Sequence, residues 1–235
     1  MIQYKVEKYT PADSMSELIC GNYPMLLVMS RFGIDLGFGD DSIGEACEKN
    51  GVDTYTFLTV ANLLIKRNKI NRNKEALGTD YSQISLPSLI KYLHNSHSYF
   101  LEFRLPLIRK ELVGALDGGS DVSFVILNYF DEYVAEVHKH MMYEENMLFP
   151  YINSVICGDP IEYSIEAFSK HHDKVETKLS ELKKILIKYY PVKTTNELNN
   201  VLYDIFSCER DLASHNNIED FLLVPTMKVF ETTKR

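Results

Sequence analysis

The stretch His140-Met141-Met142-Tyr143-Glu144-Glu145-Asn146-Met147-Leu148-Phe149-Pro150 returns later in the chain as His215-Asn216-Asn217-Ile218-Glu219-Asp220-Phe221-Leu222-Leu223-Val224-Pro225. Both read His-x-x-x-Glu, then an acid, two residues, Leu, one residue and Pro. Residues four apart on a helix share a face, so each copy sets an imidazole beside a carboxylate. One such pair alone is ordinarily a solvated ion pair. Two copies that also share the acid, the Leu and the Pro look like an internal duplication, and they point to a transition-metal site. Imidazole suits iron and zinc, and a carboxylate can bridge two ions.

Outward from these motifs, residues 83–235 carry four long helical patterns. The first opens at Ser85 and Pro87, a cap and first-turn pair, and its inward row is Ile90, His94, His97, Leu101, Leu105 and Ile108. The second opens at Ser120 or Asp121 and turns Phe124, Leu127, Phe130, Tyr133, Val137, His140, Glu144, Met147 and Leu148 inward. The third runs from about Ile161 to Tyr190 with Phe168, His172, Val175, Leu179, Leu182 and Ile185 inward. The fourth opens at Thr194 with Glu197 three residues on, a capping box. Its row is Leu198, Val201, Ile205, Cys208, Leu212, His215, Glu219 and Leu222. Short connections between long helices predict an all-α fold, an up-down four-helix bundle.

The rows bring a histidine to one level on every helix: His94, His140 with Glu144, His172, and His215 with Glu219. His94-Asn95 and His172-Asp173 also match each other, each with Leu seven residues on (Leu101 and Leu179), so the duplicated unit is a helix pair. Buried carboxylates without partners carry a large desolvation cost, and two facing each other call for cations between them. Four imidazoles and two bridging carboxylates suit two irons, whereas zinc is usually satisfied by four ligands at one ion. His97 shares the face of His94 and is the alternative on the first helix, or a residue behind the ligand; Asn95 favours His94. Glu176, four after His172, is an extra ligand or a solvated ion pair. Glu136, Tyr133 and Tyr143 are candidates for hydrogen bonds near the site.

Residues 1–82 read as a small helical N-terminal domain and linker, with the polar run Lys66–Ser82 as the boundary. Helical spacing covers Ser14–Arg31, with Pro24 opening a second helix. Ser42–Asn50 is ended by Gly51, and Asp53–Arg67 is capped by Asp53 or Thr54. The glycines at 33, 37 and 39 mark an irregular loop, not a nucleotide-binding motif.

A net charge of −8 without a Lys/Arg stripe argues against nucleic acid. No run of about 18 apolar residues is present to span a membrane. Residues 1–7 lack the pattern of a signal peptide. Cys20, Cys47, Cys157 and Cys208 are scattered and read as free thiols of a reducing cytoplasm.

The two motifs, the lone histidine on each intervening helix and the bundle resemble hemerythrin-like domains. The run His140 to Glu145 followed by Leu148-Phe149-Pro150 is most similar to the repair-of-iron-centres di-iron proteins of bacteria. The resemblance covers about residues 85–230. It implies two non-haem irons, with His94, His140, His172 and His215 as terminal ligands and Glu144 and Glu219 as bridges. Arg31-Phe32-Gly33-Ile34-Asp35 and Ala46-Cys47 resemble that family's small domain, which has adjacent cysteines where this chain has Leu36-Gly37-Phe38-Gly39. The function implied is a cytoplasmic di-iron protein of oxidative or nitrosative stress, reacting with O2, NO or hydrogen peroxide or delivering iron to damaged iron–sulfur proteins. The alternative is a sensor or reversible gas-binding module without turnover, whose N-terminal domain meets a partner. Whether the protein is an enzyme, and whether it is a monomer or a homodimer, the sequence leaves open.

Overall fold

The computed structural model describes residues 8–69, 78–116, 118, 120–159, 164–166, 168, 176–190 and 195–233. The fold is all-α, a helical bundle preceded by an N-terminal helical region. The helices delimited among the described residues are α1 (Met15–Gly21), α2 (Met25–Phe32), α3 (Ile43–Lys49), α4 (Thr54–Lys69), α5 (Leu86–Ser98), α6 (Leu105–Ala115), α7 (Asp121–Tyr143), α8 (Phe149–Cys157), α9 (Glu176–Tyr189), α10 (Asn196–Ile218) and α11 (Val224–Thr233). Among the described residues the only β feature is one isolated antiparallel bridge, Ser14 with Ser42. Packing divides the chain into two compact units, Met1–Asn95 with Ile218–Arg235, and Ser96–Asn217. No helix of the described residues is long and apolar enough to cross a membrane.

The unit Ser96–Asn217 is built on one apolar core fed by four helical arms. Leu105, Ile108 and Leu112 come from α6, and Ile126, Phe130, Tyr133, Val137 and Met141 from α7. Leu179, Leu182 and Leu186 come from α9, and Leu198, Val201, Ile205, Cys208 and Leu212 from α10. The expected α10 row is buried throughout, from Leu198 to Leu222. On α7 the expected row differs at its ends: Phe124 is 67% and Met147 49% exposed, while Ile126 and Met141 are buried in their place. Ser120 caps α7 by accepting from the Ser123 amide at 3.2 Å. Thr195 caps α10 through the Leu198 amide at 3.1 Å; Thr194 lies outside the described residues.

In the other unit, α2 and α4 pack together and α5 joins them. Phe32 meets Phe57 edge-on at 5.4 Å and Tyr92 at 5.0 Å. The helix boundaries follow their caps. Ser42 and Glu45 form a capping box on α3. Asp53 accepts from the Thr56 amide at 2.8 Å to open α4. Gly33 ends α2 at φ 80°, a conformation that disfavours any side chain. Asn62 closes two bonds on Tyr9, accepting from its amide at 2.7 Å and donating to its carbonyl at 3.0 Å.

Candidate metal centre

Among the described residues, three wide turns interrupt the helices: Tyr99–Arg104 between α5 and α6, Glu144–Leu148 between α7 and α8, and Glu219–Leu223 between α10 and α11. Each closes with an amide that reaches back five residues instead of four. Leu105 donates to the Phe100 carbonyl, Phe149 to that of Glu144, and Val224 to that of Glu219. A proline follows each time, Pro106, Pro150 and Pro225. Proline has no amide hydrogen, and in an α-helix its ring strikes the carbonyl four residues back, at a cost of about 3 kcal/mol. The wide turn relieves that clash and lets the helix continue. Such π-type turns are frequent where a helix carries functional side chains.

Glu144, at the start of the second wide turn, is wholly buried. Its oxygens face three imidazoles: His97 Nε2 and His140 Nε2 each at 3.0 Å, and His215 Nε2 at 3.9 Å. One ligand atom each from His97, Glu144 and His215 lies within 4.8 Å of the others. Neither Glu144 oxygen accepts a hydrogen bond of good alignment, close as these nitrogens are. Three imidazole nitrogens gathered on one buried carboxylate form a donor set that suits a transition-metal cation. The residues present therefore fit a bound metal ion. Burial alone would raise the Glu144 carboxyl, but His140, His215 and His97 outweigh it and hold the group well below the usual carboxylate range. Burial likewise depresses His97, and its contacts to Glu144 and Glu145 reverse the sign, so its pKa is raised.

The His97 ring is held at its edge and by two neighbouring rings. Its Nδ1 lies 2.6 Å from Glu145 Oε1. Phe149 stacks on it at 5.4 Å with an interplanar angle of 10°, and His215 leans on it at 5.0 Å. Phe100 meets His215 edge-on at 6.1 Å.

His94, the expected helix-one ligand, is exposed, while His97 is 2% exposed. The buried face of α5 carries Leu89, Tyr92, Leu93, Ser96 and His97, about one residue round from the expected row. The asparagine that made His94 match His172 is engaged elsewhere, since Asn95 donates to the Arg31 carbonyl at 2.7 Å. His140 is half-buried beside Glu144, and His215 is fully buried. Glu219 is fully buried and follows His215 by one helical turn, opening its own wide turn. His172 lies outside the described residues, as does the Glu176 side chain. Tyr133 is buried on α7, Tyr143 is 38% exposed, and Glu136 pairs with Lys178 at 2.5 Å on the surface.

Sequence reasoning did not single out Glu145 or Phe149 as partners of the site. Glu145 looks redundant beside Glu144, because neighbouring residues on an α-helix point about 100° apart. The available signal was Pro150, which forces the widened turn.

Residues 88–227 match the family model described as Hemerythrin HHE cation binding domain. No curated protein matches the chain.

Proposed function

The chain belongs to the hemerythrin HHE cation-binding family, and from that premise we propose that it is a non-haem di-iron protein of the oxidative or nitrosative stress response. The observation that carries this reading is the burial of Glu144 among His97, His140 and His215. In this reading Glu144 and Glu219, its counterpart in the repeat, would hold the irons together with His97, His140, His215 and His172. We assign the helix-one position to His97 rather than His94, because an exposed imidazole cannot reach a buried carboxylate. The irons supply one-electron and ligand-binding chemistry toward O2, NO or hydrogen peroxide. The protein's part is to fix the rings and exclude water: His97 is held by Phe149 and Glu145, and His215 by Phe100.

A specific observation favours sensing or direct reaction with small molecules over unaided repair of iron–sulfur proteins. Thiolates are soft metal ligands suited to handing iron on. Cys47, the thiol nearest in sequence to the cysteine positions of the repair-of-iron-centres proteins that the chain resembles, is wholly buried, and burial pushes its pKa up to about 11. Leu36, in the stretch where those proteins have adjacent cysteines, is exposed.

Metal analysis with Mössbauer spectroscopy on anaerobically purified protein tests the reading. The expected result is two irons per chain, magnetically coupled after exposure to air. A single zinc in a tetrahedral site, recovered reproducibly from iron-supplemented cells, would overturn it. Reduced, iron-loaded protein is expected to react with NO, yet to restore a peroxide-damaged iron–sulfur enzyme slowly without a partner. Fast restoration by the isolated protein would favour repair.

A further inference from the structure

Glu144 and Glu145 are consecutive, yet they address the two nitrogens of one ring. Glu144 Oε2 is 3.0 Å from His97 Nε2, and Glu145 Oε1 is 2.6 Å from His97 Nδ1. The wide turn Glu144–Leu148 lets both carboxylates approach the same imidazole. We propose that Glu145 is a positioning residue for the metal centre: by accepting from Nδ1–H it fixes the His97 tautomer and presents the Nε2 lone pair to the ion. The proposal rests on the reading of His97 as a ligand.

Three features separate this contact from a surface ion pair. The His97 side chain is 3% exposed and that of Glu145 22%, so water competes weakly for the bond. Phe149, stacked parallel to the ring, leaves rotation in the ring plane as the freedom to be removed, and a hydrogen bond at the ring edge removes it. Glu145 is half-buried, whereas Asp220, at the matching place in the repeat, is exposed. A ligating histidine whose other nitrogen donates to a carboxylate is both oriented and made a better donor, and loss of such a partner typically lowers metal affinity 10- to 100-fold.

The test uses the full chain loaded with Co(II), whose paramagnetism shifts the N–H protons of ligating imidazoles out of the protein envelope. His97→Ala identifies the His97 Nδ1–H signal by its loss. Glu145→Ala is expected to abolish or strongly shift that signal and to weaken Co(II) binding 10- to 100-fold. Glu145→Gln, which keeps shape and an acceptor oxygen, is expected to retain a shifted, faster-exchanging signal with a smaller loss. If Glu145→Ala and Glu145→Gln keep both signal and affinity while His97→Ala loses both, His97 is a ligand and Glu145 does not position it. If His97→Ala itself leaves Co(II) binding and every shifted N–H signal intact, His97 is no ligand and the proposal falls with that reading.

Discussion

The segment leading to Pro106 and the segment leading to Pro150 share a backbone and differ in their cargo. In both, a wide turn precedes the proline and an amide reaches back five residues, from Leu105 to Phe100 and from Phe149 to Glu144. Aligned on the prolines, Ser96 stands where the other has His140, and Phe100 where the other has Glu144. The histidine of the first segment, His97, lies one place later and still reaches Glu144. The turn is thus a backbone device that accommodates the proline, and the side chains placed on it decide whether it carries a buried carboxylate or an apolar wall.

The largest expected effect falls on the polar side of that comparison. Glu144→Ala removes the carboxylate that three imidazoles surround, and a ligand's loss should exceed the 10- to 100-fold cost typical of an outer partner. Metal content and magnetic coupling should both collapse. A variant that kept a coupled pair with unchanged affinity would show that Glu144 is no bridge.

Next in size is the contrast within α5. His97→Ala should lower iron affinity at least tenfold, whereas His94→Ala, at an exposed position, should leave it within the error of a titration. The reverse order would restore His94 as the ligand and leave the burial of His97 without a metal-related reason.

These two sites also show what the sequence made legible. The helices, the bundle and the histidine- and glutamate-bearing inner faces at the ends of α7 and α10 follow from periodicity and from two motifs four residues wide, because four-residue spacing survives in any α-helix. The choice between His94 and His97 did not follow. The two lie only about 60° apart on a helix, so a small rotation of α5 decides between them. That rotation is set by Tyr92 packing on Phe32, and by Asn95 bonding to Arg31, contacts far apart in sequence. The wide turns were latent in the prolines. Glu145 was hidden because its direction depends on a turn that α-helical periodicity cannot represent.

Pro106→Ala tests whether the proline sustains the turn. Alanine restores an amide donor and removes the ring, so an α-helix becomes available through 99–106. Narrowing the turn would rotate His97 about 100° relative to α6. The burial of Phe100, Leu105 and Ile108 resists that rotation. The expected outcome is a metal-free protein at least as heat-stable as the original, with an affinity loss smaller than that of His97→Ala. Loss of iron equal to that of His97→Ala would mean that proline alone holds the register.

The smallest expected effect is at Phe100, the apolar counterpart of Glu144. Its ring is 1% exposed and meets His215 edge-on. An edge-to-face aromatic contact contributes about 0.5–1.5 kcal/mol beyond its buried area. Phe100→Leu keeps the site apolar and trades that contact for a smaller side chain, so a stability loss of about 1–2 kcal/mol is expected. Iron stoichiometry and coupling should be unchanged, because no donor atom is removed. Chemical denaturation of the metal-free form, set beside Mössbauer spectra of the loaded form, separates the two quantities. If Phe100→Leu uncoupled the irons as Glu144→Ala should, the first segment would contribute to the metal centre through its wall as much as through His97. The division between a ligand-bearing turn and a packing turn would then fail.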